Sequence, residues 1–357
     1  MGVPSFERSI GRGCVLILAG LISCGGTANA ERHGHDMLVV TSTNDASRNS
    51  VAVFRLDTDS TPSLTLAQLL PTGGKGGAGG NAGSVQFRDG LGAVANFGSN
   101  SVTQLFQIDG RIVAGRTIHL ADDCTGPDSV ALTEDHLFVA GATCAESHAW
   151  PSGHLDGSVV TLSDNSAGQI AVGETWAAVT MKSGTVEALG MEHGALSGAV
   201  SSIALPAGAN DTPLGAAFWG NVLGFTPAHS PNSFALIDAQ QDVFPIAGPT
   251  PPYPTNAPCW VAKGPNSAWY AGNSPGQAVS IFLTDGQGGT FYKSIPLGGV
   301  ATDITVSRDQ NWLAVIYTAG DGAHVKVFSI DAYGDLKLAA TSPAIGVTSF
   351  NGVSFSQ

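Results

Sequence analysis

The sequence predicts an all-β chain folded as one seven-bladed β-propeller of four-stranded blades. Three observations point there. A strand-like tetrad recurs along the chain at blade-length spacing. The composition is poor in charge, at 12% Asp, Glu, Lys and Arg, and rich in glycine, with 47 residues, which suits short strands joined by tight turns. No segment carries a helical period of useful length.

The tetrads read small or polar, then apolar, then small. They are Ser84-Val85-Gln86-Phe87, Ser129-Val130-Ala131-Leu132, Gln169-Ile170-Ala171-Val172, Gly215-Ala216-Ala217-Phe218, Trp260-Val261-Ala262-Lys263, Asp303-Ile304-Thr305-Val306 and Gly352-Val353-Ser354-Phe355. From Val85 through Val130, Ile170, Ala216, Val261 and Ile304 to Val353 the steps are 45, 40, 46, 45, 43 and 49 residues. That is the length of a four-stranded blade. Each tetrad is read as an innermost strand, where small residues let seven strands converge on a narrow channel.

A continuous apolar strand follows each tetrad, as in 91–96, 136–140, 176–180, 268–273 and 312–317. Continuous apolarity marks a strand covered on both faces by neighbouring blades. Next comes an alternating strand ending in a turn, as in Leu105-Phe106-Gln107-Ile108-Asp109-Gly110. Asp and Gly supply the positive φ that a tight hairpin requires. A more polar fourth strand lies at the rim.

The count closes on itself. The chain after residue 36 begins with a second-type strand, 37–41, that lacks an innermost partner. The last tetrad is an innermost strand with nothing after it. The carboxy-terminal strand is therefore expected to pair into the first blade and close the ring, protecting edges that would pair with other chains. A pair of β-sandwiches or a β-helix would leave this arithmetic unexplained.

Residues 1–30 read as an export signal. Arg8 and Arg12 precede an apolar run, 14–22, too short to span a bilayer. Two processing sites follow: Ala28-Asn29-Ala30, a small-x-small motif, and Leu21-Ile22-Ser23-Cys24, which resembles a bacterial lipobox and would place a lipid on Cys24. Residues 31–357 then form a single domain, expected to be a monomer in the periplasm, at the cell surface or secreted. No other segment is long and apolar enough to span a membrane. The formal net charge of −13 and the lack of a basic stripe exclude nucleic acid as a partner.

The repeats laid out in this way resemble the lactonase-type propellers, with their YVTN/WD40-like repeats, the family of 6-phosphogluconolactonases and carboxymuconate cyclase. The likeness runs from about residue 36 to the end. It rests on Asn96-Phe97-Gly98-Ser99-Asn100-Ser101-Val102, Gly126-Pro127-Asp128-Ser129-Val130, Ala257-Pro258-Cys259-Trp260-Val261-Ala262 and Asp303-Ile304-Thr305-Val306-Ser307-Arg308-Asp309. The resemblance implies a hydrolase or isomerase of lactones or cyclic esters. Enzymes of that family carry His and Arg where their innermost strands begin. Here the matching stretches are Gly79-Gly80-Asn81-Ala82-Gly83, Gly126-Pro127-Asp128 and Ser166-Ala167-Gly168-Gln169, with neither residue. No catalytic set transfers directly.

Candidate chemistry is placed where the innermost strands begin and where the second strands turn into the third. From these loops Asn256, Trp260, Asp303, Lys182 and His229 are candidate ligand-binding residues. The segment 143–156, read as the longest loop on that face, holds His148 and His154. With Asp128 these form a candidate acid–base set for opening a lactone. Each has a plainer reading: solvated loop histidines, an Asp capping its own turn, a Trp plugging the channel, a solvated Lys. The alternative function is a non-catalytic propeller that binds a small molecule or a protein on the same face.

Three cysteines lie beyond the signal region. Cys124 and Cys144 fall on loops of one blade and one face, so a disulfide between them is expected in an oxidising compartment. Cys259 reads as a buried thiol. No C-x-x-C or His/Cys cluster points to a metal, and no motif points to a cofactor. The run Gly73-Gly74-Lys75-Gly76-Gly77-Ala78-Gly79-Gly80 lacks the Gly-Lys-Ser/Thr ending of a phosphate loop and reads as a linker between blades 1 and 2.

Overall fold

A computed structural model describes residues 37–59, 61–80, 82–230, 234–248, 257–347 and 350–357. Cys24 and Asn256 lie outside the described residues. The described residues form seven four-stranded antiparallel sheets in a ring, with one short 3₁₀ turn at Phe97–Ser99. This is the seven-bladed propeller that the tetrad spacing predicts.

Each blade runs from the axis outward in chain order. Blade 2 is Val85–Arg88, Leu91–Asn96, Ser101–Ile108 and Arg111–His119, and blade 3 is Ser129–Leu132, His136–Ala140, Cys144–Ala149 and Val160–Thr161. Blades 4 to 7 have innermost strands Ala167–Val172, Pro213–Trp219, Pro258–Lys263 and Val300–Val306. Blade 1 is composite. Its outer strands Met37–Ser42, Ser50–Asp57 and Ser63–Pro71 come from the start of the domain, and its innermost strand Asn351–Phe355 comes from the end. Val40 pairs with Ser354 and Val39 with Phe355, which closes the ring.

The apolar residues of the second and third strands lie between blades. Val39 and Phe54 of blade 1 share a cluster with Ala314, Ile316 and Val327 of blade 7. Phe138 of blade 3 shares one with Val179, Met181 and Leu189 of blade 4. Phe54 and Phe138 are wholly buried, and burying each contributes on the order of 1.5–3 kcal/mol. The continuous apolarity of the second strands is thus the imprint of two neighbouring sheets.

The innermost strands of adjacent blades do not pair through their backbones, so their polar groups need other partners. Where the first residue of a tetrad carries a side chain, that side chain supplies one. Ser129 Oγ accepts the N–H of Ile170, and Gln169 Oε1 accepts that of Ala216. Ser84 Oγ donates to Asn351 O, and Trp260 Nε1 donates to Ala301 O. In this layer Gly215 stands where a Cβ would come within 2.7 Å of Cys259 O on blade 6. The tetrad's first position therefore stitches one blade to the next.

Candidate functional site

The connectivity gives the ring two faces. Loops leading into innermost strands, and loops from second to third strands, open on one face, called here the upper face. Turns from first to second and from third to fourth strands open on the lower face. Asp128, Lys182 and His229 lie on the upper face.

His148 and His154 do not join them. The segment 143–156 is not one loop: Cys144–Ala149 is the third strand of blade 3, and His154 follows it in the turn to the fourth strand on the lower face. His148 is 2% exposed. Its Nε2 lies 2.7 Å from Oε1 of the fully buried Glu146, and its Nδ1 lies 3.2 Å from Gly153 O. Glu146 Oε2 accepts the N–H of Ala121 on the blade 2 side. Ser147, on the opposite side of the strand, accepts the N–H of Leu196. The strand reads as a loop because it is polar. It is buried because each polar group finds a partner inside the fold.

Trp260 is likewise occupied. Its indole N–H is shared between Ala301 O at 2.9 Å and Ser274 Oγ at 3.1 Å, so the ring is a wedge between blades 6 and 7. Asp303 is 4% exposed. Its Oδ2 accepts the N–H of Gly83 at 2.9 Å and its Oδ1 that of Ile304 at 2.8 Å, with Val353 donating as well. Burial pushes its carboxyl up to about 7, against these three donors.

The upper end of the channel is closed by the end of the glycine-rich segment. Gly80 O accepts from Lys182 Nζ of blade 4 at 3.1 Å. Ala82 donates to Gly168 O, is wholly buried, and joins an apolar cluster containing Leu214, Cys259, Trp260 and Ile304 from blades 5 to 7. Gly83, at φ +68°, accepts the N–H of Val130 of blade 3 while donating to Asp303 of blade 7. The linker reading omitted this role. The signal is weak in sequence because the contacts are made by backbone.

On the same face lies Asp128, 8% exposed. Burial raises its carboxyl to about 6, and the nearby Lys182 ammonium opposes the shift. The Cys124–Cys144 disulfide, with a Cα–Cα distance of 5.4 Å, ties the loop carrying Asp128 to the third strand of blade 3. Cys259 is a buried free thiol. Across the rim His229 Nδ1 lies 2.8 Å from Thr212 Oγ1 and 3.9 Å from Asp211 Oδ1, exposed to solvent. The site therefore offers a carboxyl that changes charge near neutrality, a cation beside it, and an imidazole at the edge. The described residues hold no cluster of three or more His, Cys, Asp or Glu suited to a metal ion. No described helix is long and apolar enough to cross a membrane.

No family model matches the chain, and no curated protein matches it in sequence. Solved structures do match. The periplasmic gluconolactonase of Pseudomonas aeruginosa superposes with a TM-score of 0.66 at 15% identity, over 90% of this chain and 98% of that one. A putative 6-phosphogluconolactonase from Bacteroides fragilis gives 0.63 at 12%, again over 90% and 98%. The fold is that of the lactonase-type propellers. A streptogramin B lyase is also similar, at 0.59 and 16%, over 77% of this chain and 87% of that one. At these identities the shared property is architecture; chemistry must be argued from residues.

Proposed function

We propose that the protein is an exported lactonase-like propeller that binds a lactone or related cyclic ester at the upper mouth of the channel and opens it, with Asp128 and Lys182 as the working pair. The observation that carries this reading is a carboxyl with a pKa of about 6 beside an ammonium, at the end of the channel. At neutral pH Asp128 is mostly ionised and serves as the base. Water bound against it attacks the ester carbonyl while Asp128 takes its proton. Lys182 stabilises the oxygen that becomes negative. As the ring C–O bond breaks, Asp128 returns the proton to the departing alkoxide. His229, with Thr212 and Asp211, lies where substrate hydroxyls can be oriented. A fold shared with a periplasmic gluconolactonase is compatible with this class of substrate.

Export and anchoring belong to the same proposal. The disulfide fits an oxidising compartment. Cell fractionation with mass measurement of the mature amino terminus distinguishes a start at residue 31 from a lipid-modified Cys24. An unprocessed cytoplasmic chain overturns export.

The second reading is ligand or partner binding without turnover. It is favoured by the floor itself, since Ala82 and Gly83 fill the axis that a substrate would otherwise enter. A lactone panel assayed by acid release with wild type, Asp128→Asn and Lys182→Met decides between them. Turnover by wild type that falls at least about a hundredfold in Asp128→Asn supports catalysis. Equal rates in all three overturn the assignment of Asp128. Binding without turnover in wild type leaves the second reading.

A further inference from the structure

An open cleft lies on the other face. It has a volume of about 700 Å3, within the roughly 300–1,000 Å3 typical of small-ligand sites. Its wall comes from the turns of blades 2 and 7 and from the residues that follow the closing strand of blade 1. Asp89, Gln107, Asp109, Arg308, Asp309 and Ser356 are among its polar lining residues, with Gln357 beside them.

The donors and acceptors are mixed. Arg308 pairs with Asp89, which leaves the cleft with one compensated guanidinium and two further carboxylates. Asp309 is held in place by Ser307 Oγ at 2.5 Å and Asn311 Nδ2 at 2.8 Å. Gln107 offers an amide that can both donate and accept. Ser356 lines the cleft, is wholly buried, and its hydroxyl has no hydrogen-bond partner among the described residues. A buried hydroxyl without a partner carries an uncompensated desolvation cost. A molecule seated in the cleft, or a water beneath it, would remove that cost.

Three carboxylates against one guanidinium disfavour an anion. A guanidinium, an amide and a hydroxyl among them disfavour a simple cation. A polyhydroxylated neutral molecule suits the set, because each of its hydroxyls both donates and accepts. Asp109 and Asp309 would take hydroxyl protons, while Arg308, Gln107 and Ser356 would donate to hydroxyl oxygens. From this geometry we infer that the lower-face cleft is a second binding site, for a neutral sugar or similar polyol. It is independent of the chemistry at the upper mouth.

The test is saturation-transfer NMR with D-glucose, D-galactose, D-mannose and maltose, and with putrescine as the cationic probe and gluconate as the anionic one. Wild type, Arg308→Met, Gln107→Ala, Ser356→Ala and Asp128→Asn are compared, with circular dichroism confirming that each is folded. At least one neutral sugar is expected to bind wild type and Asp128→Asn alike. Arg308→Met and Gln107→Ala should each weaken it about tenfold, the loss of one or two hydrogen bonds to a polar ligand. Ser356→Ala, which removes only a buried oxygen, should weaken it by a smaller factor. The inference is overturned if no sugar binds. It is equally overturned if putrescine or gluconate binds in a sugar's place, or if binding survives both the Arg308 and Gln107 changes. Loss in Asp128→Asn alone would place the sugar at the other face and overturn it too.

Discussion

Asp303 of blade 7 accepts the backbone N–H of Gly83 of blade 2 at 2.9 Å, reaching past the closing strand of blade 1, whose Val353 donates to the same carboxyl. One buried side chain thus ties three consecutive blades at the point where the ring closes. Asp303→Ala should leave these N–H groups without a partner. A loss of about 2–4 kcal/mol in urea unfolding is expected, with no specific effect on lactone turnover per folded molecule. A loss below about 0.5 kcal/mol would show that the clamp is dispensable.

The same carboxyl makes stability depend on pH. Burial holds Asp303 at about 7 and Asp128 at about 6, whereas Asp in an unfolded chain titrates near about 3.9. Between these values the folded state holds protons that the unfolded chain has released. Their stabilising contribution is complete below the unfolded value and is lost as pH rises through about 6 to 7. The urea midpoint should therefore fall from pH 5 to pH 8. The drop should shrink in Asp303→Asn, which does not titrate. An unchanged drop in that variant would assign the effect to other groups.

Asp128 also sets the expected pH dependence of turnover. As a base it must be ionised, so kcat/KM for a lactone should rise with pH and level off above about 6. Lys182→Met removes the opposing ammonium, so the inflection should move to higher pH while the plateau falls. An inflection that stays in place would separate Lys182 from Asp128.

His148→Ala tests the opposite assignment. It leaves Glu146, wholly buried, without the imidazole at 2.7 Å. Removing one partner of a buried pair costs about 3–5 kcal/mol. Thermal unfolding should show a marked loss, and the replacement Glu146→Gln/His148→Leu should recover part of it. A stable His148→Ala protein with abolished turnover would return His148 to the mechanism.

Reduction should loosen the Asp128 loop. Cys124 and Cys144 are 20 residues apart, and a cross-link of that span contributes about 3 kcal/mol. The double Ser variant should lose about that much, measured by urea unfolding. Labelling of the unreduced protein should find only Cys259 free. Three labelled thiols would contradict the pairing.

The architecture was legible because a propeller repeats. Spacing alone locates the innermost strands, and apolarity separates covered strands from rim strands. The candidate site residues were harder to place for a physical reason. They sit where chain segments far apart in sequence converge, and convergence leaves no local period. His148 looked like loop chemistry because Glu146, Ser147 and His148 are polar in a row. Only the three-dimensional fold shows that Ala121, Leu196 and Gly153 satisfy them. The floor of the mouth was invisible because Gly80 and Gly83 act through main-chain groups. The cleft around Arg308 is built from turns of blades 2 and 7 and from the residues after the closing strand, which share no motif.

Closure by the terminal strand also carries a consequence for synthesis. The residues 37–42 form a hydrogen-bonding edge whose inner partner, 351–355, follows every other described strand in the chain. Until residues 351–355 arrive, the nascent ring is an open crescent with an unpaired strand at one end. The step that locks the ring is therefore a contact between the first and last described strands. A chain cut before residue 351 would keep that crescent exposed to self-association.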